Sequence, residues 1–336
     1  MHTMTPRPAP EHHVTERQPE QPAIAARGLT RTFGEVTAVD ELDLTIHRGE
    51  IYGLLGPNGA GKSTTVKMLC TLLAPTGGEA TVAGYSIAGQ PQEVRFHIGV
   101  ALQDVALDPR QTGLELLRLQ GQLYGLTDRE IEQRLGDLRE LVDLGDALER
   151  RIATYSGGMQ RRLDLAAALV HNPDVLFLDE PTTGLDPISR ARVWQEVRRL
   201  NHELGMTILL TTQYLEEVDE LADRVGIVDA GRLVAEGTPS ELKRSIGTDV
   251  VVARIDGNAD DARHALRDVF GIVAVDGHGQ ELTISVDDGA STIGAVAIAF
   301  HDASVRVRDL ILRTPTLDDV FLEMTGAHID TQEDPS

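Results

Sequence analysis

Gly56-Pro57-Asn58-Gly59-Ala60-Gly61-Lys62-Ser63 is the stretch that decides the fold. It fits the phosphate-binding pattern G-x-x-x-x-G-K-[ST] at every required position. Residues 51–55 before it form a short apolar run typical of a buried strand. Residues 64–73 after it carry apolar side chains at helical spacing. The sequence therefore predicts a strand, a phosphate-binding loop and a helix in succession.

This loop has the chemistry of an anion site. Its glycines let the backbone turn with amide groups pointing inward, and the helix that follows adds unpaired N–H groups and a positive dipole end. Lys62 supplies a positive charge for the outer phosphates, and the Ser63 hydroxyl suits a hard cation such as Mg²⁺. A glycine-rich turn that matches by chance is the alternative, and the flanking elements argue against it. The residues expected to hold a nucleotide here are Gly56, Asn58, Gly59, Ala60, Gly61, Lys62, Ser63 and Thr64.

Composition limits the class of protein. The 336 residues suggest about two domains, and 41% hydrophobic residues are enough for a packed core. No apolar run approaches the roughly 18 residues that a membrane span needs, and the N-terminus lacks a signal-peptide core. The formal charge of -22 argues against binding to nucleic acid or anionic lipid. We expect a cytoplasmic protein without a nucleic-acid partner, and any link to a membrane should run through a protein. The single cysteine, Cys70, is expected to be a buried, inert thiol.

The pattern along the chain divides it into segments. Residues 1–22 and 327–336 are predicted to be disordered tails. Residues 23–246 alternate strands and helices, which predicts a mostly parallel sheet flanked by helices, with a helical subdomain inserted at about 104–155. Leucines at three- and four-residue spacing in this subdomain, among them Leu117, Leu123, Leu135 and Leu138, form an apolar stripe that is expected to pack into the core. One buried strand ends in Asp179-Glu180. Carboxylates at such a position need a cation or donors to face, and Mg²⁺ on nucleotide phosphates would supply one.

The last part of the chain, residues 247–326, has the order β-α-β-β-α-β. This order predicts a small α+β domain of the ferredoxin-like type. We find no catalytic motif in it. The segment 315–326 is predicted to be a short amphipathic helix, which would either dock on another surface or cover its own domain.

A set of further motifs identifies the type of phosphate-loop protein. The most specific is Tyr155-Ser156-Gly157-Gly158-Met159-Gln160. Together with Gln103, the run 175–181 and Gly184-Leu185-Asp186, it resembles the ATP-binding subunit of ABC transporters over about residues 24–245. The resemblance implies a P-loop NTPase sheet core that carries the predicted helical subdomain as an insertion.

The resemblance also implies roles at an ATP site. Ser63, Gln103 and Asp179 would serve Mg²⁺ directly or through water, and Glu180 would polarise the attacking water. From the residues alone, Phe33 is either a core aromatic or a platform for a purine. The family stacks adenine on an aromatic side chain at this position, which favours the platform.

A second copy of the chain is implied as well. Ser156, Gly157 and Gly158 would cap the ATP held by the facing subunit, and Asp186 would lie at the dimer contact. One phosphate loop leaves one side of the nucleotide open to water, so a second anion-facing surface is needed to stabilise phosphoryl transfer. Two chains in head-to-tail C2 order would close two ATP sites. The alternative is that Ser156 merely caps a helix.

The chain departs from the family pattern at Tyr155, Met159 and Gln213. The first two flank the intact Ser-Gly-Gly centre and should cost little. Gln213 stands where the family usually has a histidine that contacts the γ-phosphate, and an amide cannot carry its positive charge. The loss of a charge-assisted bond costs on the order of 1 kcal/mol, or several-fold in rate. We predict a slow but genuine ATPase with Glu180, Gln213 and Lys62 as its catalytic residues.

Within the family, the stretches 31–34, 211–217 and 315–322 look like drug exporter ATPases of the daunorubicin-resistance type. In those systems the membrane part is a separate chain. The resemblance thus implies a polytopic permease partner, whose cytoplasmic helices the helical subdomain around Gln103 would receive. It also implies peripheral attachment to the inner face of the cell membrane and export of a drug or antibiotic. Open alternatives are a lipid or polysaccharide exporter subunit, an ABC-type ATPase of ribosomes or DNA, and a nucleotide switch that does not hydrolyse.

Overall fold

The computed structural model describes residues 21–102, 107–142, 144–278 and 281–326. Residues 1–20 of the predicted tail 1–22, the predicted tail 327–336, and Gln103 lie outside the described residues. Contacts within the chain divide it into two compact units, one ending at Glu236 and one beginning at Gly237.

The first unit contains an α/β core and a helical region. Its strands are β1 (Ile24–Phe33), β2 (Val36–Ile46), β3 (Ile51–Leu55), β4 (Gly77–Val82), β5 (Tyr85–Ser86), β6 (Ile98–Ala101), β7 (Val175–Asp179), β8 (Thr207–Thr212), β9 (Arg224–Asp229) and β10 (Arg232–Gly237). Its helices are α1 (Lys62–Leu69), α2 (Pro91–His97), α3 (Gly113–Leu123), α4 (Asp128–Val142), α5 (Gly157–Leu169), α6 (Pro187–Leu204) and α7 (Leu215–Leu221).

A six-stranded sheet in the order β10-β9-β3-β8-β7-β6 organises this unit. The pairs β3–β8, β3–β9, β6–β7 and β7–β8 are parallel, as the alternation of strands and helices predicts. Register pairs Leu55 with Thr212 and Asp179 with Thr211. The carboxyl ends of β3, β7 and β8 therefore lie together at one edge, where the phosphate loop, Glu180 and Gln213 begin.

A second, antiparallel sheet in the order β2-β1-β4-β5 carries Phe33 at the end of β1. The predicted helical subdomain is formed by α3, α4 and the 3₁₀ turns Gly145–Glu149 and Ile152–Thr154. Its apolar stripe packs as predicted at Leu117, Leu135 and Leu138, which are buried against α5. Leu123 departs from the predicted stripe because it lies at the end of α3, 69% exposed.

The second unit begins with α8 (Pro239–Ile246) and contains β11 (Asp249–Asp256), α9 (Ala259–Ala265), β12 (Ile272–His278), β13 (Glu281–Val286), α10 (Gly289–Asp302), β14 (Arg306–Arg313) and α11 (Leu317–Thr325). Its strand order is β12-β13-β11-β14 with antiparallel pairing, which confirms the ferredoxin-like arrangement. Helix α11 packs against α8 and buries Leu317, Val320 and Phe321. The closing helix thus covers its own unit.

Candidate functional site

The phosphate loop connects β3 to α1, and two of its glycines are required by close approach of other backbone. A side chain at Gly56 would place Cβ 2.3 Å from the Val228 carbonyl oxygen. Gly61 has φ +104°, and its Cβ would lie 2.4 Å from the Ala38 carbonyl oxygen. The Ala60 amide donates to the Pro57 carbonyl within the loop. Helix α1 begins at Lys62, two residues earlier than predicted, so the first unpaired N–H groups of the helix belong to residues 62–64.

Lys62 is the cation at the centre of this site. Its ammonium donates to the carbonyls of Gly56 and Pro57 at 2.7 and 3.1 Å, and it lies 4.0 Å from a Glu180 carboxylate oxygen. Burial lowers the pKa of Lys62, while Glu180 and Asp179 oppose that shift. The Lys62 side chain thus lies near two carboxylates and is held by two loop carbonyls, with which a bound phosphate would compete.

Asp179 lies at the end of β7, and its carboxylate accepts hydrogen bonds from two hydroxyl groups. Ser63 Oγ donates to its Oδ1 at 3.0 Å, and Thr211 Oγ1 donates to the same oxygen. In an octahedron with Mg–O distances of about 2.1 Å, neighbouring oxygens are roughly 3 Å apart, so Ser63 and Asp179 fit as two ligands of one Mg²⁺. Among the described residues no group of three or more His, Cys, Asp or Glu side chains could hold a metal alone. A hard cation here would need phosphate or water oxygens to complete its shell.

Glu180 follows directly and is held in an uncommon backbone conformation, with φ +49°. Its N–H donates to the carbonyl of Thr211 at 3.0 Å, with the Thr211 hydroxyl at 3.2 Å. Thr183 Oγ1 donates to its carboxylate at 3.3 Å. Left-handed backbone at a non-glycine residue costs of order 1–3 kcal/mol and persists only where its surroundings impose it. The strand pairing thus aims this carboxylate toward Lys62.

Gln213 lies beside the strand that precedes the loop, and Phe33 lies at the end of β1 in the second sheet. Gln213 is the first residue after β8, next to the Leu55–Thr212 pair that precedes the loop, and it is partly exposed. Phe33 is 45% exposed, and the guanidinium of Arg31 lies 4.4 Å from its ring centroid. This exposure excludes the core-aromatic alternative and leaves a ring available for stacking.

A separate group of candidates lies where α5 and α6 begin. Ser156 caps α5 by accepting from the Met159 N–H at 3.3 Å, and it is exposed. A Cβ on Gly158 would approach Ser189 Oγ to 2.9 Å, so a side chain there would require Ser189 to move. A Cβ on Gly157 would meet only Leu185, at 3.9 Å. Nothing described in this chain therefore requires Gly157 to be a glycine.

Asp186 caps α6 in the same region. Its carboxylate accepts from the N–H groups of Ile188 and Ser189 and from the Ser189 hydroxyl, and the hydroxyl bond is the main cause of its lowered pKa. The structure thus gathers Lys62, Ser63, Asp179, Glu180 and their neighbours at the phosphate loop. It places Ser156, Gly157, Gly158 and Asp186 together at two helix N-termini.

Sequence reasoning missed Arg161, which is 6% exposed. Its guanidinium donates to the carbonyls of Leu102, Asp179 and Pro181 and pairs with Asp164 at 3.3 Å. Arg161 lies one turn after Ser156, so it joins the α5 N-terminus to the strand end that carries Asp179 and Glu180. In the sequence, Arg161 differs from its surroundings only as a charged residue in a helix whose other buried positions are apolar.

Glu217 was missed for a similar reason. It lies on α7 just after Gln213, is fully buried, and accepts from Trp194 Nε1 at 3.0 Å. Burial raises its pKa, and the hydrogen bond from Trp194 opposes that shift. The hydrogen bond from Trp194 to Glu217 joins α6 to α7.

Comparison with known proteins agrees with this geometry. The family model for ABC transporters matches residues 39–183, and that for the DrrA1-3-like C-terminal domain of ATP-binding proteins matches residues 237–325. The second match begins where the second unit begins. Among the described residues, every helix is too short or too polar to cross a membrane.

Similar proteins cover nearly the whole chain. The daunorubicin resistance ATP-binding protein DrrA3 of Streptomyces coeruleorubidus is 47% identical, over 90% of this chain and 96% of that protein. The Nod factor export ATP-binding protein I of Cupriavidus pinatubonensis is 38% identical, over 91% and 92%. A dimeric, post-hydrolysis structure of the ATP-binding cassette MJ0796 with ADP and phosphate aligns with a TM-score of 0.58 at 25% identity, over 64% of this chain and 98% of that one.

Proposed function

The chain belongs to the ATP-binding subunits of ABC transporters, and from this premise we propose that two copies enclose two ATP molecules and drive a separate membrane permease that exports a drug or antibiotic. As a member of that family the chain binds and hydrolyses ATP. The dimer, Mg²⁺, the permease and the cargo are the parts we propose. The permease would hold the chain at the inner face of the cell membrane.

The proposed roles follow the two groups of residues. Lys62 and the amides of the loop and α1 bind the phosphates, with Phe33 beside the adenine. Ser63 and Asp179 hold Mg²⁺, whose charge would help to stabilise the transferred phosphoryl group. Glu180 orients the attacking water, and Gln213 donates an uncharged hydrogen bond to the γ-phosphate. Gln103 is proposed as a further ligand of Mg²⁺ from the sequence alone.

The main structural support for the proposed dimer comes from Gly157. It lies at an exposed helix N-terminus with room for a side chain, so the absence of one is unexplained within the chain. Helix N-termini bind anions, and close approach of backbone to a phosphate requires glycine. A facing subunit's ATP supplies that anion. Asp186, next to this surface, then lies at the contact between subunits.

Complementation between two inactive variants tests this arrangement. Lys62→Ala leaves the Ser156 surface intact, and Ser156→Arg leaves the phosphate loop intact. Each alone should lose at least about 90% of ATP turnover. In a C2 dimer the mixture contains about half mixed dimers, each with one complete site, so activity should recover to roughly a quarter of wild type. A fully active Ser156→Arg variant, or no recovery in mixtures shown to contain mixed dimers, would disprove the shared site.

The cargo is supported by the names of the relatives. One carries daunorubicin resistance in its name and another Nod factor export. The more identical relative favours a drug, and both names fit a substrate that leaves the cell. Vesicles containing the proposed permease should raise the ATP turnover of this chain, and a drug that raises turnover further is the expected substrate. A chain that copurifies with ribosomes and ignores the permease would contradict transport.

A further inference from the structure

A groove of about 900 Å³ lies on the second unit, between α10 and the segment that follows α9. Its apolar lining includes Val269, Phe270 and Ile298. Phe270 is 97% exposed and Ile298 63% exposed, although the core beneath is already closed by the buried Val296 and Phe300. Because these two large apolar side chains are exposed on the same groove, the groove is a candidate interaction surface.

The rim of this groove is acidic. Asp268, Asp287, Asp288 and Asp302 line it, and its described lining includes no lysine or arginine. Asp288 caps the N-terminus of α10 and Asp302 is its last residue. The 14 residues of α10 place these two carboxylates about 20 Å apart. The groove is thus apolar along its length and negative at both ends.

We propose that this groove binds a basic amphipathic helix from the cytoplasmic side of the membrane-spanning partner, an inference that rests on the function proposed above. Apolar residues at i, i+3, i+4 and i+7 would fill the groove, in the manner of other helix-in-groove contacts. Lysines or arginines three to four turns apart would meet Asp288 and Asp302. Cytoplasmic segments of membrane proteins carry an excess of these residues.

The same charges disfavour two other occupants. The groove of a second copy would bring like charges together, which opposes a symmetric contact. An anionic membrane surface would be repelled by the four carboxylates. A protein segment rich in Lys and Arg is the occupant whose charge and shape both fit.

A designed peptide tests the chemistry on the full-length chain. The probe has 16 residues, leucines at helical spacing and two lysines at each end, and the matched control has glutamates in place of the lysines. The lysine peptide should bind, with affinity reduced at least about tenfold by Ile298→Ser or by Asp268→Asn with Asp302→Asn, and reduced by salt. Equal binding of both peptides, or no effect of either variant, would overturn the proposal. Thermal melting should stay unchanged because these side chains are exposed.

Site-specific crosslinking tests the partner. Cys70 is the only cysteine and is buried, so Ile298→Cys creates a single exposed thiol for a photoactivatable label. Thr283→Cys is the control, because Thr283 is exposed between the core residues Leu282 and Ile284 and so faces the other side of the sheet. In vesicles containing the permease, the label at 298 should capture the permease and the label at 283 should not.

Other outcomes separate this inference from the proposed function. Capture of a second copy or of lipid at 298, or equal capture at both positions, would overturn the groove proposal. If the permease stimulates ATP hydrolysis by the wild-type chain but is never captured at 298, only the groove proposal fails. If the permease does not stimulate hydrolysis, the proposed function itself fails.

Discussion

Replacing Arg161 by methionine should destabilise the first unit strongly. The guanidinium donates to three main-chain carbonyls, those of Leu102, Asp179 and Pro181, in a place that is 6% exposed. Each buried acceptor left without a donor costs about 1–3 kcal/mol. The substitution also breaks the ion pair between Arg161 and Asp164. Removing one partner of a buried ion pair costs about 3–5 kcal/mol, which is similar to the sum for the three carbonyls. We expect a loss of about 3–5 kcal/mol in the free energy of unfolding, out of a typical 5–15 kcal/mol.

Urea unfolding followed by the fluorescence of Trp194 measures this loss, because the chain has one tryptophan and it lies in the first unit. Arg192→Met, at an exposed position on α6, is the matched control and should change stability by less than about 0.5 kcal/mol. Burial holds the pKa of Asp164 at about 6 despite Arg161, so Asp164→Asn in the Arg161→Met background should recover part of the loss. An Arg161→Met variant within 1 kcal/mol of wild type would refute the argument.

Three further predictions concern the site and its surroundings. Glu180→Gln should lower ATP turnover roughly a hundredfold while ATP binding persists, and unchanged turnover would remove Glu180 from its role. Gln213→His should raise turnover several-fold by restoring a charge-assisted bond worth about 1 kcal/mol, and an unchanged rate would show that the contact is not made in the transition state. Burial lowers the pKa of His171 to about 4, and its ring bonds the Ile98 carbonyl at 2.9 Å. Since the unfolded pKa is about 6.5, this contribution to stability is present above pH 6.5 and is lost as pH falls toward 4. Wild type should therefore lose about 2 kcal/mol more than His171→Gln between pH 7 and pH 5, and parallel unfolding profiles would contradict this.

Much of the architecture could be predicted because its causes are local. The pattern around Gly56 to Ser63 specifies a strand, a loop and a helix. The apolar run that ends in Asp179-Glu180 predicts which other strand end faces the nucleotide. Parallel pairing then brings those ends to one edge without further information. The order β-α-β-β-α-β was enough to predict the second unit's topology. In each case neighbouring residues determine the element.

The remainder depends on contacts between distant parts of the chain. Arg161 binds a carbonyl 59 residues away, and Glu217 receives its hydrogen bond from a residue 23 positions earlier. The left-handed backbone at Glu180 is imposed by pairing with Thr211 on another strand. Tertiary packing determines these hydrogen bonds, and no periodicity in the sequence indicates them. The exposed Phe270 is a similar case, because its surroundings leave it in water although its residue type suggests a core position.

Arg161 also bears on how two ATP sites would communicate in the proposed dimer. It connects the helix that begins at Ser156 to the main chain of Asp179 and Pro181 on either side of Glu180. The first of these elements would contact the ATP of the facing subunit, and the second would hold the cation and water of the chain's own ATP. In such a dimer, a displacement of α5 at one ATP would act through Arg161 on the strand end at the other ATP. Closure around one ATP would then change the position of the Glu180 carboxylate at the second.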